Sequence, residues 1–194
     1  MIDLFAAGSW TADKLLAVLD RRRDRPRLVY RVESIMYYTR LSELFPVIHR
    51  HNEKDVARLS LNPDPNPFTW TRIVIWNAGR VVIRRSDLTK ANPLRLNTPY
   101  AKRKFIYALN WRTAAASTQP EVGPPRGNRD WAPITFDHLG HNEGFVISVF
   151  HTEGPKDIYV VGAVVGGAES PTNVTGRSVP RVPQALRRVL ITPQ

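Results

Sequence analysis

A mainly β fold, an antiparallel β-sandwich of Ig-like or jelly-roll-like type with a short N-terminal helix, is predicted by three features of the sequence. Apolar and polar residues alternate with a two-residue period in several runs between Leu28 and Val165. Those runs are short and rich in β-branched and aromatic residues. Sixteen prolines and eleven glycines cut the chain too often for a helical bundle.

The helix is expected over Thr11–Arg23. Thr11 can cap it, Leu15, Leu16, Val18 and Leu19 give it an apolar stripe, and Pro26 ends it. From Leu28 the period changes. Leu28, Tyr30 and Val32 alternate with Val29, Arg31 and Glu33. Short strands follow at Phe45–Arg50 and Val56–Leu61, then a proline-rich loop at Asn62–Phe68. Thr71–Leu88 holds two β-branched runs around Asn77, Ala78 and Gly79, which reads as a tight hairpin or bulged turn. Phe105, Tyr107, Leu109 and Trp111 place an aromatic face on another strand. Ala114–Trp131 reads as a long excursion between strands. Ile134–Phe136, Phe145–His151 and Ile158–Val165 complete about eight to ten strands, with Gly154 and Pro155 turning the last two. Gln184–Leu190 suits a helical turn or two.

The chain of 194 residues suits one domain. We divide it into a helical segment at 1–26, a β-sandwich domain at 27–167 and a Pro/Arg-rich extension at 168–194. Hydrophobic residues make up 42 % of the sequence, enough for a core and against wholesale disorder. The absence of cysteine excludes disulfides, zinc-thiolate sites and cysteine nucleophiles. No apolar run approaches the roughly 20 residues of a membrane-spanning helix. The opening MIDLFAAGSW has no basic residue ahead of its apolar part, so a cytoplasmic setting is expected.

The stretches IVIWNAGRVVIRRSDL, NPLRL, ITFDHLGHNEGFVISVFHT and IYVVGAVVGG together resemble a recurring β-rich domain of uncharacterised bacterial proteins. The matching positions are Trp76, Asn77 and Gly79; Ile83 and Asp87; Pro93, Leu94 and Leu96; Phe136, Asp137 and Leu139; and Gly162 with Gly166. The resemblance spans roughly 28–167. It implies a fold and carries no activity. The residues suggest structural jobs: Trp76 anchors the core with its indole N–H on a carbonyl, Asn77 and Gly79 turn the chain, and Asp87 and Asp137 bond nearby backbone N–H groups.

No nucleophile elbow, dinucleotide loop or phosphate loop is legible, so no catalytic residue and no cofactor are assigned. Asp137, His138, His141 and Glu143 form the densest ionisable cluster and the one candidate metal-ligand set. His49 and His51 share a face if their segment is extended.

A net charge of +11 and a pI near 10.5 favour anionic partners. The candidate anion- or nucleic-acid-binding residues are Arg21, Arg22, Arg23, Arg25, Arg84, Arg85, Lys102, Arg103 and Lys104; Arg27, Arg187 and Arg188 add to the basic clusters. Tyr100, Tyr107 and Trp111 stand nearby as stacking candidates. The expected function is a non-catalytic binding module with a basic surface for an anionic macromolecule or protein partner. The alternatives are nucleic-acid binding and attachment to a membrane surface through residues 1–25, where Leu4, Phe5 and Trp10 precede the arginine run.

Overall fold

The computed structural model describes residues 24–38, 68–97, 106–113, 115–123, 131–151, 158–168, 170–174 and 180–191. They are mainly β. Eleven strands lie among them: β1 (Leu28–Tyr38), β2 (Phe68–Asn77), β3 (Ile83–Arg84), β4 (Arg95–Asn97), β5 (Ile106–Thr113), β6 (Glu121–Val122), β7 (Trp131–Thr135), β8 (His138–Leu139), β9 (Gly144–His151), β10 (Tyr159–Val161) and β11 (Thr172–Asn173). The α-helix among the described residues is C-terminal, α1 (Gln184–Ile191). The expected helix at Thr11–Arg23 and the strands at Phe45–Arg50 and Val56–Leu61 lie outside the described residues.

The strands form a five-stranded sheet in the order β11-β1-β2-β9-β5, a four-stranded sheet β10-β4-β7-β6 and a short ladder β3-β8. All pairs are antiparallel except β1 with β11. The main core is shared between the sheets. Tyr30, Ile73, Ile75, Phe145, Ile147 and Val149 of the larger sheet meet Leu94, Leu96, Ala132, Ile134 and Val160 of the smaller one. Phe136 and Phe145 sit with ring centroids 5.9 Å apart, a tilted arrangement that suits the aromatic quadrupole.

The simple alternation fails on the larger sheet, and the failure is informative. Val29, Val74 and Trp76 should face outward, yet each is 0 % exposed. They belong to a second apolar cluster with Val146, Val174, Val182 and Leu186. The C-terminal stretch supplies its cover. Arg72 Nη1 donates to the Leu190 carbonyl at 2.8 Å, placing a cation at the end of α1, and its guanidinium lies 4.9 Å from the Trp70 ring centroid. The run IVIW therefore reads apolar throughout because both of its faces are buried.

Two expectations for the Asn77 region need correction. The runs on either side of Asn77–Gly79 do not pair with each other. β2 pairs with β1 and β9, whereas β3 pairs with β8. Asn77 is the cause. It is 0 % exposed, and its amide donates to the Val81 carbonyl at 2.7 Å and the Leu139 carbonyl at 3.0 Å. Its Oδ1 accepts the Gly79 N–H at 2.9 Å and the Arg27 N–H at 3.4 Å. The side chain thus carries the chain out of one ladder and into another. A Cβ at Gly79 would lie 2.1 Å from the Arg25 carbonyl, so this close approach admits only glycine. The Trp76 indole nitrogen, expected on a carbonyl, is buried with no hydrogen-bond partner.

Other departures are smaller. The Ala114–Trp131 excursion carries a 3-10 turn at Ala116–Thr118 and strand β6, which pairs with β7. In β5 the register shifts between Ala108 and Asn110, so the even spacing of the aromatics is interrupted there. The apolar run Ile158–Val165 is a strand only to Val161, because Gly162 turns the backbone at φ +126 and Leu94 packs against it. Val164 then bridges to Leu88.

Replacing Asn77 with alanine leaves the Val81 and Leu139 carbonyls and the Gly79 N–H without their partner. The expected loss is about 3 kcal/mol or more in chemical denaturation. Leu186→Ala, which opens the second core, is expected to cost about 2–4 kcal/mol and to raise amide exchange across 184–191.

Candidate functional site

The backbone bonds around Asn77 assemble one end of the molecule from separate segments. Ala78 N–H donates to the Arg27 carbonyl at 2.8 Å, and Asn77 exchanges bonds with the 142–143 turn: Asn77 N–H to Glu143 O at 3.0 Å, Asn142 N–H to Asn77 O at 2.8 Å. Arg25 and Arg27 therefore sit against the 78–82 turn, which runs through Arg80 into Arg84 and Arg85 beside His138. All five arginines are exposed. Arg85 lies 3.2 Å from Asp137, and Arg80 makes a long 3.8 Å contact with Asp24. Among the described residues, Arg25, Arg27 and Arg84 have no ion pair. Asp87 takes the Arg84 backbone N–H at 2.7 Å, the local bond expected of it.

Of the sequence-derived anion candidates, the structure thus groups Arg25, Arg84 and Arg85. Arg21, Arg22, Arg23, Lys102, Arg103, Lys104 and Tyr100 lie outside the described residues, as do His49, His51 and almost all of the 1–25 membrane segment. Only the backbone is described for Tyr107 and Trp111. Arg187 and Arg188 are exposed on α1. Arg80 is a residue the sequence reading missed; its position one step after the Gly79 close approach was the available signal.

Asp137, His138, His141 and Glu143 occupy the same end and are each engaged differently. Asp137 pairs with Arg85. Glu143 Oε2 accepts the Gly140 N–H at 2.7 Å and lies 3.9 Å from His138 Nε2. His141 Nδ1 lies 2.9 Å from the Gly79 carbonyl, which can only accept, so Nδ1 carries the proton. Its Nε2 is 2.9 Å from the Asn142 amide nitrogen. No three His, Asp or Glu side chains among the described residues converge as a metal-ligand set. The Glu143 bond closes its own turn, and the His141 bond ties that turn to Gly79.

A second arrangement was not seen in the sequence. On the smaller sheet the register sets Tyr159 opposite Asn97 and Asn97 opposite Trp131, with Val161, Arg95 and Pro133 in the neighbouring row. These six residues alternate with the buried Leu94, Leu96, Ala132, Ile134 and Val160, and all six are partly exposed. Asn97 Nδ2 donates to the Tyr159 hydroxyl at 2.7 Å. Arg95 Nη1 donates to Asn92 Oδ1 at 2.9 Å and the Pro93 carbonyl at 3.0 Å, and its guanidinium lies 6.0 Å from the Trp131 ring centroid. The signal was present as the outward halves of three alternating runs, but their strand pairing is not written in the sequence.

No family model, curated protein or solved structure matches the chain. No helix among the described residues is long and apolar enough to cross a membrane.

Tyr30 joins the two sheets below these surfaces. Burial pushes its phenol above the ordinary value of 10.0; hydrogen bonds to the Val160 backbone and the Asn173 side chain pull it down, and nearby Tyr159 pushes it up. A phenol with a raised folded-state pKa contributes stability that is intact below pH 10 and is lost as pH climbs through the folded value. Denaturation of the native chain should therefore grow easier above pH 10. The stability gap between it and a Tyr30→Phe variant should shrink over the same range.

Proposed function

We propose that this chain is a non-catalytic binding module that recognises an anionic macromolecule through the arginines at its Asn77 end. The fold that goes with this reading is an antiparallel β-sandwich in a cytoplasmic setting. The core shared by the two sheets supports the sandwich.

The observation that carries the function is the convergence itself. Arg25 and Arg27 from ahead of β1, Arg80 from the 78–82 turn, and Arg84 and Arg85 from β3 and beyond are far apart in sequence. The Asn77 bonds bring their segments to one end of the molecule, and Arg25, Arg27 and Arg84 are balanced by no ion pair among the described residues. Like charges on one rigid end repel one another in the free protein. That repulsion is relieved by a polyanion, whose displaced counterions add a salt-dependent driving force. The whole chain's charge of +11 steers the same partner from a distance.

Heparin provides the test. The native chain should bind it with an affinity that falls steeply as salt is added. The triple variant Arg25→Gln, Arg27→Gln, Arg84→Gln should elute from a heparin column at lower salt and melt at no lower a temperature. Equal retention of variant and native chain, or no retention of either at low salt, would overturn the proposal.

A further inference from the structure

The geometry points to the outer face of the four-stranded sheet as a binding platform for single-stranded nucleic acid, with Trp131 as the stacking surface and Arg95 as the phosphate contact. This rests on the module reading above in one respect, that the partner is an anion; the surface is a different one.

An outward sheet face is ordinarily solvated by small polar or charged side chains. Here one row runs Tyr159, Asn97, Trp131, with two aromatic rings flanking an amide. The neighbouring row has Arg95 at its centre. Arg95 is held in place, because two acceptors on Asn92 and Pro93 fix one guanidinium nitrogen. Its remaining N–H groups are left to other acceptors, and no carboxylate pairs with it among the described residues. The Asn97 amide is steered by the Tyr159 hydroxyl in the same way.

These parts match an unpaired nucleotide. A base offers a π-face to Tyr159 or to the Trp131 ring that the Arg95 guanidinium overlies, and a polar edge to Asn97, while the phosphate beside it answers the remaining Arg95 N–H groups. A duplex hides its base faces in the stack and gains nothing from the row. An acidic peptide would use the arginine and leave the aromatic row idle. A neutral sugar would leave the fixed, unneutralised charge unused.

The test compares a fluorescein-labelled single-stranded 12-mer with its duplex by anisotropy on the full chain. The single strand should bind more tightly. Trp131→Ala should weaken single-strand binding by about tenfold or more and leave duplex and heparin binding unchanged. Trp131→Phe should retain most of the affinity. Asn97→Asp replaces the donor to the Tyr159 hydroxyl with an acceptor, so that the hydroxyl donates instead, and sets a negative charge in the row, so it should also weaken the single strand alone. Arg95→Gln should lower affinity and flatten the salt dependence. If Trp131→Ala does not fold, Asn97→Asp and Arg95→Gln decide the matter. Native-like single-strand binding by the folded variants, or a preference for duplex, would overturn this inference while heparin binding left the module reading standing. Loss of heparin binding in the native chain as well would remove both.

Discussion

One buried amide organises this molecule. Asn77 has no access to water, so each of its polar atoms must find a partner in the protein. It finds them on the adjoining 78–82 turn and on three segments that are remote in sequence: the approach to β1, β8 and the turn before β9. A hydrophobic core can tolerate slippage between apolar neighbours. A fully bonded amide in the same place cannot, because each displaced bond exposes an unmet donor or acceptor. That constraint decides which ladder β3 joins, and it decides which arginines become neighbours.

The larger sheet is the layer around which the rest is arranged. One of its faces shares a core with the smaller sheet, and the other is covered by α1 and the residues that lead into it. Arg72 fixes the helix end and packs on Trp70, so a charged side chain serves the second core from its rim. The smaller sheet has one buried face, and its other side presents the row of Tyr159, Asn97 and Trp131. Chain connections also divide by end. The turns built on Asn77 close one end, whereas Tyr38, Phe68, Asn97, Ile106, Trp131, His151 and Tyr159 begin or finish their strands at the other.

Much of the strand content was legible because period-two alternation is a local signal. Leu28, Tyr30, Ile134 and Val160 all face the core that their spacing suggests. What escaped was non-local. Asn77–Gly79 has the residues of a tight turn, and the turn forms, but the partner strand is chosen by bonds to Leu139 and Glu143 more than sixty residues away. Val29, Val74 and Trp76 are apolar on the wrong side of the alternation for a solvated sheet. That was a readable hint of a second covering layer. The arginine grouping was half legible: Arg84 and Arg85 are adjacent in sequence, whereas Arg25 joins them only through Gly79. In FDHLGHNEG the polar side chains serve backbone groups: Glu143 takes the Gly140 N–H of its own turn, and His141 bonds the Gly79 carbonyl of the 78–82 turn, a partner not written in the local sequence.

The central claim is that the Asn77 junction is as rigid as the core strands it terminates. Native-state amide hydrogen exchange at Ala78, Gly79 and Asn142 measures this directly. The account predicts that these three N–H groups exchange as slowly as Ile75 and Ile147 in the centre of the sheet, through global unfolding. Exchange at the rate of an open surface loop would contradict it.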